Sequence, residues 1–399
     1  MQTQLTNPWI VLALIIYAAL VVTPLIAWVE AKTWQRRAAL GAVGFCIVCS
    51  LPAFFTTPNG VIGDTLQYGR RWSEGAPDYW WRFFGGQDCA EGTGWVLLPL
   101  SWGWAALGTW KLERILGLGW HCLLAASVWV LPFVNAAALP VVVAILCATR
   151  FGLWLQRHHL GSEILLQQAL LFGCLLRARH TQSWRWLAPV VALVSVLQYS
   201  YLAAIVTITY PLIWLRRSWR TVAVYGLIGL LCVPLVIPPR DYFQFLHRFT
   251  DDPSNHITLP SLWHVCTLVL AFWDENYSRE RSWMWSYPGA QHLPVIVCLL
   301  ILLGVALALW NPNGRRWIAT ALVGLVPAAS WPGTAASHQQ MMALIPMAVL
   351  AAWPLRLVPR RWAWPMSIVL ATVIAVAGLR EWHDPAFWVF WSQRSSYHF

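Results

Sequence analysis

The chain has 399 residues, of which 58% are hydrophobic and 11% charged, with a formal net charge of +11. Because an ordinary soluble domain carries about 25% charged residues, this composition excludes a typical soluble core. The Lys and Arg residues fall in short clusters between apolar runs and form no contiguous basic face, so the net charge does not indicate a nucleic-acid-binding protein.

Apolar segments recur along the whole chain, and a transmembrane helix needs about 20 mainly apolar residues to cross the hydrocarbon core. The segments 8–29 and 292–310 meet this requirement directly. The first has no charged region ahead of it and is read as a retained span. We predict an all-α polytopic integral membrane protein with spans at 8–29, 38–55, 115–133, 136–150, 164–176, 187–200, 202–215, 222–238, 292–310, 317–330, 341–356 and 364–379.

The basic clusters are typical of cytoplasmic loops, so they orient these spans. With residues 32–37 inside, the whole chain, 1–399, forms a single transmembrane domain. The predicted outer segments are 56–114, the first external loop, 150–163, 239–291, a large external loop, 331–340 and the tail from residue 380.

One feature of this topology is the apolar stretch 187–215, which is long enough for a single helix. One helix there would invert every later loop and export Arg315 and Arg360, so the charge pattern favours two helices broken near Tyr199. Two further apolar pieces, 95–110 and 262–273, are predicted as re-entrant or interfacial helices of the outer loops.

The first external loop holds the strongest candidate for chemistry. Asp64 is followed by Tyr68 at four residues and by Arg71 at seven, so the three side chains share one face of a helix. A carboxylate at the membrane surface can accept a proton from an acceptor hydroxyl while an adjacent arginine contacts a phosphate. The alternative for Asp64 is a helix N-cap, because Asp-Thr-Leu-Gln resembles a capping start.

Other polar groups lie in the remaining outer segments. Glu163 follows His158 and His159, but the pair lacks metal-ligand spacing, so a hydrogen-bonding role is favoured. Arg240 opens a charged segment that could be a salt-bridged cap. His338 and Gln340 directly precede a predicted span.

The order of these pieces resembles the GT-C superfamily of membrane glycosyltransferases, which includes protein O-mannosyltransferases and aminoarabinose transferases. The resemblance spans most of the chain and begins with Asp64 and Tyr68 in the first outer loop. It continues with a Pro-Leu-aromatic helix around Pro99 and an arginine, Arg114, that opens the next span. It ends with Glu163 at the start of a helix and with residues 337–346, which run from a histidine to a proline.

The resemblance implies a helical bundle of about 11–13 spans with amphipathic helices in the first external loop. It implies an inverting hexosyl or pentosyl transfer from a polyprenyl-phosphate-sugar to a glycan, lipid or protein acceptor, on the periplasmic face of a bacterial inner membrane. Asp64 would be the catalytic base. The substrate-binding residues would be Tyr68, Arg70, Arg71, Arg114, Glu163, Arg240, His338 and Gln340.

Two departures from the family pattern limit what is carried over. Gln340 and Met341 stand where the family has a basic residue and an aromatic. The first loop has Gly63-Asp64 in place of paired acids, which argues against a required divalent cation because hard cations normally take several oxygen ligands. No metal or cofactor is therefore predicted, and the expected partners are the lipid-linked donor, the acceptor and membrane lipids.

Three other functions remain open at this stage. An O-antigen-type polymerase or ligase also handles polyprenyl-linked glycans but typically relies on Arg and His. A transporter or channel predicts charged residues inside spans and internal symmetry. A non-catalytic membrane scaffold would tolerate loss of Asp64.

Overall fold

The structure is a computed structural model that describes residues 8–56, 109–157, 159–196, 201–236, 293–330 and 341–383. Within these ranges the chain forms thirteen α-helices and two short 3-10 helices, with no strand, so the predicted all-helical class is confirmed. The α-helices are α1 Pro8–Glu30, α2 Thr33–Thr56, α3 Thr109–Val130, α4 Leu139–Ala148, α5 Arg150–Arg157, α6 His159–Thr181, α7 Trp184–Val196, α8 Tyr201–Trp214, α9 Trp219–Val236, α10 Val295–Ala308, α11 Pro312–Ser330, α12 Met341–Ala351 and α13 Arg360–Trp382. The 3-10 helices are Ala136–Ala138 and Trp353–Arg356.

Local sequence signals set where several helices begin. Pro294 and Pro359 are the residues before α10 and α13, and a proline fits there because it has no N–H to leave unpaired. The start of α11 is capped by Asn311, whose Oδ1 accepts hydrogen bonds from the backbone N–H of Asn313 at 2.9 Å and of Gly314 at 3.3 Å. The apolar runs between such signals then form the helices.

The basic clusters meet at one end of the bundle, here called the basic end. Glu30, the last residue of α1, forms ion pairs with Arg177 near the end of α6 and with Arg185 at the start of α7. Gln35 of α2 donates to the carbonyl of Trp129 at 3.3 Å, and Trp129 stacks on Trp364 of α13 with ring centroids 6.0 Å apart. The clusters that the sequence assigns to one side of a membrane therefore lie together.

Helices α7 and α8 run antiparallel. The hydroxyl of Ser218, four residues after α8, donates to Oε1 of Gln182, two residues before α7, at 2.9 Å. Arg220 also donates to the carbonyl of Gln182, at 2.6 Å. A single straight helix over the same stretch would separate its two ends by about 45 Å. The start of α7 and the end of α8 therefore lie at the same end of the bundle, as the two-helix interpretation requires. Residues 197–200, between the two helices, lie outside the described ranges.

The segment 150–163, predicted as an outer segment, is helical and largely buried in the structure. It forms α5 and the first turn of α6, and Phe151, Leu153 and Leu155 are each 1% exposed. The reason is that α4 is only 10 residues long and ends inside the bundle, where Thr149 Oγ1 accepts from the N–H of Gly152 at 3.2 Å and starts the reversal. The predicted span at 136–150 correspondingly ends at Ala148.

The outer surface of the bundle carries apolar stripes. Val295, Leu299 and Leu302 of α10 are 43–52% exposed and follow helical spacing along one face. On α13 the stripe comprises Met366, Val369, Val373 and Val376. Among the described residues, one helix, α13, has the length and apolar composition to cross a bilayer. Seven further apolar helical segments are shorter, at 10–17 residues each. One such helix also occurs in the cores of soluble proteins, so it does not by itself establish a polytopic membrane protein.

Candidate functional site

Of the predicted site residues, one is fully described, namely Glu163. Arg114 lies in α3, two turns before His121, and its side chain is outside the described part. The other predictions fall on residues outside the described ranges: Asp64, Tyr68, Arg70, Arg71, Arg240, His338 and Gln340.

Glu163 lies in the interior of the bundle, in the second turn of α6, and is 0% exposed. The side-chain amide of Gln167, one turn further on, donates to Glu163 Oε1 at 3.1 Å. Glu163 Oε2 and Gln167 Oε1 are both buried without a hydrogen-bond partner. A carboxyl group in such a dry setting is favoured in its neutral form, because a buried charge without a partner is far more costly than a buried dipole.

His121 links three helices beside this residue. Its Nδ1 lies 2.7 Å from the hydroxyl of Ser162 on α6, and its Nε2 lies 3.1 Å from the carbonyl of Leu146 on α4. A carbonyl can only accept, so Nε2 carries the proton and Nδ1 of the neutral ring is an acceptor. The one hydroxyl proton of Ser162 lies within reach of both Nδ1, at 2.7 Å, and the carbonyl of Leu155, at 3.2 Å, and the shorter contact is the one to Nδ1. All of these groups are buried, so the imidazole fixes the depth at which α3, α4 and α6 meet.

Gln168, next to Gln167, joins α6 to α12. Its amide contacts the sulfur of Met342 at 2.7 Å, and the hydroxyl of Tyr210 on α8 donates to the carbonyl of Met342 at 3.3 Å. Met342 lies two residues after Gln340, so the predicted His338–Gln340 motif leads directly into a helix that packs on the polar side of α6. The described part of the fold thus packs the start of α12 against α6 at Gln168, five residues after Glu163.

Sequence reasoning singled out Glu163 but missed its neighbours. The signal was present, since Glu163 and Gln167 lie four residues apart, one helical turn, within a largely apolar run. Polar residues that interrupt an apolar helix at such spacing indicate an interior polar cluster. His121 gave no comparable signal, because its partner Ser162 is 41 residues away in the chain.

A groove runs along the end of α13 that lies away from the basic end, with a volume of about 960 Å³. Val373, Val376 and Ala377 give it an apolar wall, and Arg380, Glu381 and His383 follow toward the end of the helix. Arg150 of α5 donates to the carbonyl of Glu381 at 3.1 Å, which ties the groove to the helix that leads into α6. The groove therefore places apolar surface beside a helix end that carries an arginine, a glutamate and a histidine.

The described residues contain no group of three or more His, Cys, Asp or Glu side chains arranged to hold a metal ion. The predicted lack of a metal stays a prediction, because the first external loop lies outside the described ranges. Six cysteines within those ranges are free thiols: Cys46, Cys49, Cys122, Cys147, Cys174 and Cys298.

Comparison with known proteins gives no relative for this chain: no protein-family model, no curated protein and no solved structure matches it. The GT-C resemblance therefore stays a prediction that depends on the residues quoted for it.

Proposed function

We propose that the chain is a polytopic integral membrane protein. Its support is the distribution of side chains: branched apolar residues face outward in helical stripes on α10 and α13, while Glu163, His121 and Gln167 lie in the interior. Soluble monomers rarely expose large contiguous apolar surfaces, whereas polar residues of membrane bundles face the bundle interior. The basic end would face the cytoplasm by the positive-inside rule.

Within that membrane protein we propose a glycosyltransferase that takes its sugar from a polyprenyl-phosphate donor. The observation that carries the proposal is the groove on α13, in which Val373 and Val376 adjoin Arg380, with Glu381 and His383 beside it. A polyprenyl phosphate needs an apolar track for its chain and a positive group for its phosphate, and Arg suits phosphate through its planar fork of donors. The groove lies away from the basic end, on the side proposed to be periplasmic.

The proposed chemistry is an inverting displacement at the anomeric carbon of the donor sugar. Asp64 takes the proton from the acceptor hydroxyl while that oxygen forms its bond to the anomeric carbon. The bond from this carbon to the phosphate oxygen breaks, and the lipid phosphate leaves with the electron pair. Positive side chains, Arg70 or Arg71 of the first loop or Arg240 of the large loop, stabilise the charge on the departing phosphate.

The remaining residues carried by the resemblance would hold the substrates. Tyr68 would lie on the same helical face as Asp64, and Arg114, His338 and Gln340 would complete the polar lining. The acceptor is a glycan, a lipid or a protein, and the reaction as written needs no cation.

A transfer assay tests this proposal. Full-length protein is reconstituted in lipid vesicles with polyprenyl-phosphate donors that carry a labelled hexose or pentose, together with a glycan and lipid extract as acceptor. We expect label to move from the donor to the extract, Asp64→Asn to abolish the transfer, and Asp78→Asn, a matched acid of the same loop, to retain it. Near-normal transfer by Asp64→Asn would refute the assignment of the base.

A second arm separates the proposal from a polymerase or ligase of the O-antigen type. Such an enzyme moves an oligosaccharide and depends on arginines of the large external loop. If Arg240→Ala abolished transfer from a donor carrying an oligosaccharide while Asp64→Asn had no effect, the glycosyltransferase of the proposed type would be excluded.

One observation favours a transporter as the second candidate. Ionisable residues inside membrane bundles commonly mark ion or proton paths, and Glu163 and His121 are both fully buried. Proton-coupled transport predicts uptake or efflux by vesicles that is lost in Glu163→Gln, with no covalent change in the solute. Transfer of label to an acceptor in the assay above contradicts this candidate.

A further inference from the structure

Three arginines from separate parts of the chain gather at the basic end. Arg179 lies in the last turn of α6, Arg216 follows α8 by two residues, and Arg316 lies near the start of α11. Arg179 lies beyond the predicted span 164–176. Gln182, three residues after Arg179, accepts from Ser218, two residues after Arg216, at 2.9 Å, and Trp214, two residues before Arg216, contacts Trp317, next to Arg316. These contacts bring the three arginines to the same end of the bundle. Burial lowers the pKa of Arg179, and the positive charges of Arg316 and Arg216 lower it further.

This arginine cluster has no acidic partner among the described residues. Glu30 is engaged by Arg177 and Arg185, and no ion pair within the described ranges involves Arg179, Arg216 or Arg316. Within the described part of the chain, the Nη1 atom of Arg179 is buried and has no hydrogen-bond partner. An arginine stays charged in this setting, so the cluster holds repelling guanidinium groups and a buried donor that an anion would satisfy.

Aromatic packing holds the cluster in place. Trp317, next to Arg316, contacts Trp214 of α8 with ring centroids 4.7 Å apart and Phe172 of α6 at 5.2 Å. The indole N–H of Trp214 donates to Thr320 of α11 at 3.0 Å. Buried rings thus join α6, α8 and α11 within about two helical turns of each arginine.

The direction of the helices adds to the positive field. Helix α11 begins at this end, so the positive end of its dipole faces the cluster, and the side chain of Asn311 already accepts from the amides of Asn313 and Gly314. Arg220, near the start of α9, donates to the carbonyl of Gln182 at 2.6 Å, and its Nε is buried without a partner. Within the described residues, a second guanidinium donor without a partner therefore lies beside Gln182, three residues after Arg179.

The surroundings indicate an amphiphilic ligand. Leu212, four residues before Arg216, is 67% exposed, and Val222, two residues after Arg220, is 72% exposed. Trp219 is 68% exposed and packs against Trp184 with ring centroids 6.2 Å apart. Exposed tryptophans beside basic residues are typical of the headgroup level of a bilayer, with apolar residues facing the acyl chains.

From this arrangement we propose that Arg179, Arg216 and Arg316 form a binding site for the phosphate of an anionic phospholipid headgroup, with the acyl chains against the exposed apolar residues of α8 and α9. The site lies at the opposite end from the groove on α13. It rests on the proposed membrane location of the chain but not on the sugar donor or the glycosyltransferase proposal.

Lipid retention tests the site directly. Full-length protein in a neutral detergent is titrated with phosphatidylglycerol or phosphatidylcholine, and bound lipid is counted by native mass spectrometry. We expect selective binding of phosphatidylglycerol, and at least about tenfold weaker binding in Arg179→Gln/Arg316→Gln, because each lost charge-assisted hydrogen bond weakens binding by about one order of magnitude. Arg217→Gln, an exposed neighbour outside the cluster, should bind as the unmodified chain does.

Three results would overturn the proposal: equal binding of the two lipids, equal binding by the double variant, or inorganic phosphate alone binding as tightly as phosphatidylglycerol. The last result would assign the cluster to a soluble anion. If the double variant does not stay folded, Arg179→Lys/Arg316→Lys keeps both charges but removes the planar fork, and we expect it to fold and to bind several-fold more weakly.

Discussion

The pair formed by Glu163 and Gln167 gives a stability prediction that separates a structural role from a functional one. Glu163→Leu removes the acceptor for the Gln167 amide, now made at 3.1 Å, and leaves that amide buried without a partner. Glu163→Gln keeps an acceptor at the same place and adds an N–H that can reach Gln167 Oε1, which has no partner.

The magnitudes follow from the burial of both side chains, each 0% exposed. Orphaning a buried polar group costs about 1–3 kcal/mol, so Glu163→Leu should lower the free energy of unfolding by that amount. Replacing both partners removes both sets of unsatisfied atoms, so Glu163→Leu/Gln167→Leu should be about as stable as the unmodified chain or more so. Glu163→Gln should stay within about 0.5 kcal/mol of it.

The assay is thermal unfolding in one detergent at one scan rate, followed by intrinsic tryptophan fluorescence and compared between variants. We expect Glu163→Leu to lower Tm by about 2–5 °C, and the double variant to recover it. The reasoning fails if Glu163→Leu unfolds at the unmodified temperature, or if Glu163→Gln falls as far as Glu163→Leu. A stable double variant without transferase activity would show that this buried pair is retained for function and not for folding.

Three further predictions concern packing, substrate and topology. Gly304→Ala places a Cβ against a backbone carbonyl of α12, so overpacking should lower the free energy of unfolding by about 1–3 kcal/mol. In the control Gly226→Ala the new Cβ meets no atom within 4 Å, so this variant should not be destabilised. Equal Tm values for the two variants would contradict the packing. If the Arg380 guanidinium binds the phosphate equally in the ground and transition states, Arg380→Gln should raise KM for a polyprenyl-phosphate donor by about tenfold with little change in kcat. An unchanged KM would show that Arg380 is not part of the donor site. In sealed vesicles, a membrane-impermeant thiol reagent should label Arg315→Cys from the cytoplasmic side and His383→Cys from the other, and labelling of both from one side would invalidate the proposed topology.

Local sequence patterns predict most of the described helices. Apolar runs predict the helices, and prolines and Asn311 mark several of their starts, because these effects act within one turn of the chain. The charge clusters also predict which helix ends lie together, and this gave the two-helix interpretation of 187–215 that the Gln182–Ser218 hydrogen bond supports. Asp64 and the other loop residues of the predicted site stay predictions.

The tertiary structure alone decided which polar residues meet. His121 and Ser162 are 41 residues apart, Gln168 and Met342 are 174 apart, and no local pattern encodes either contact. It also decided that residues 150–163 enter the bundle, since a hydropathy pattern cannot distinguish a short buried helix such as α5 from a solvated turn. Helix formation depends on neighbours within a few residues, so the sequence by itself determined the helices. The partner of a buried side chain depends on how whole helices pack, so only the tertiary structure determined the contacts of His121 and Gln168.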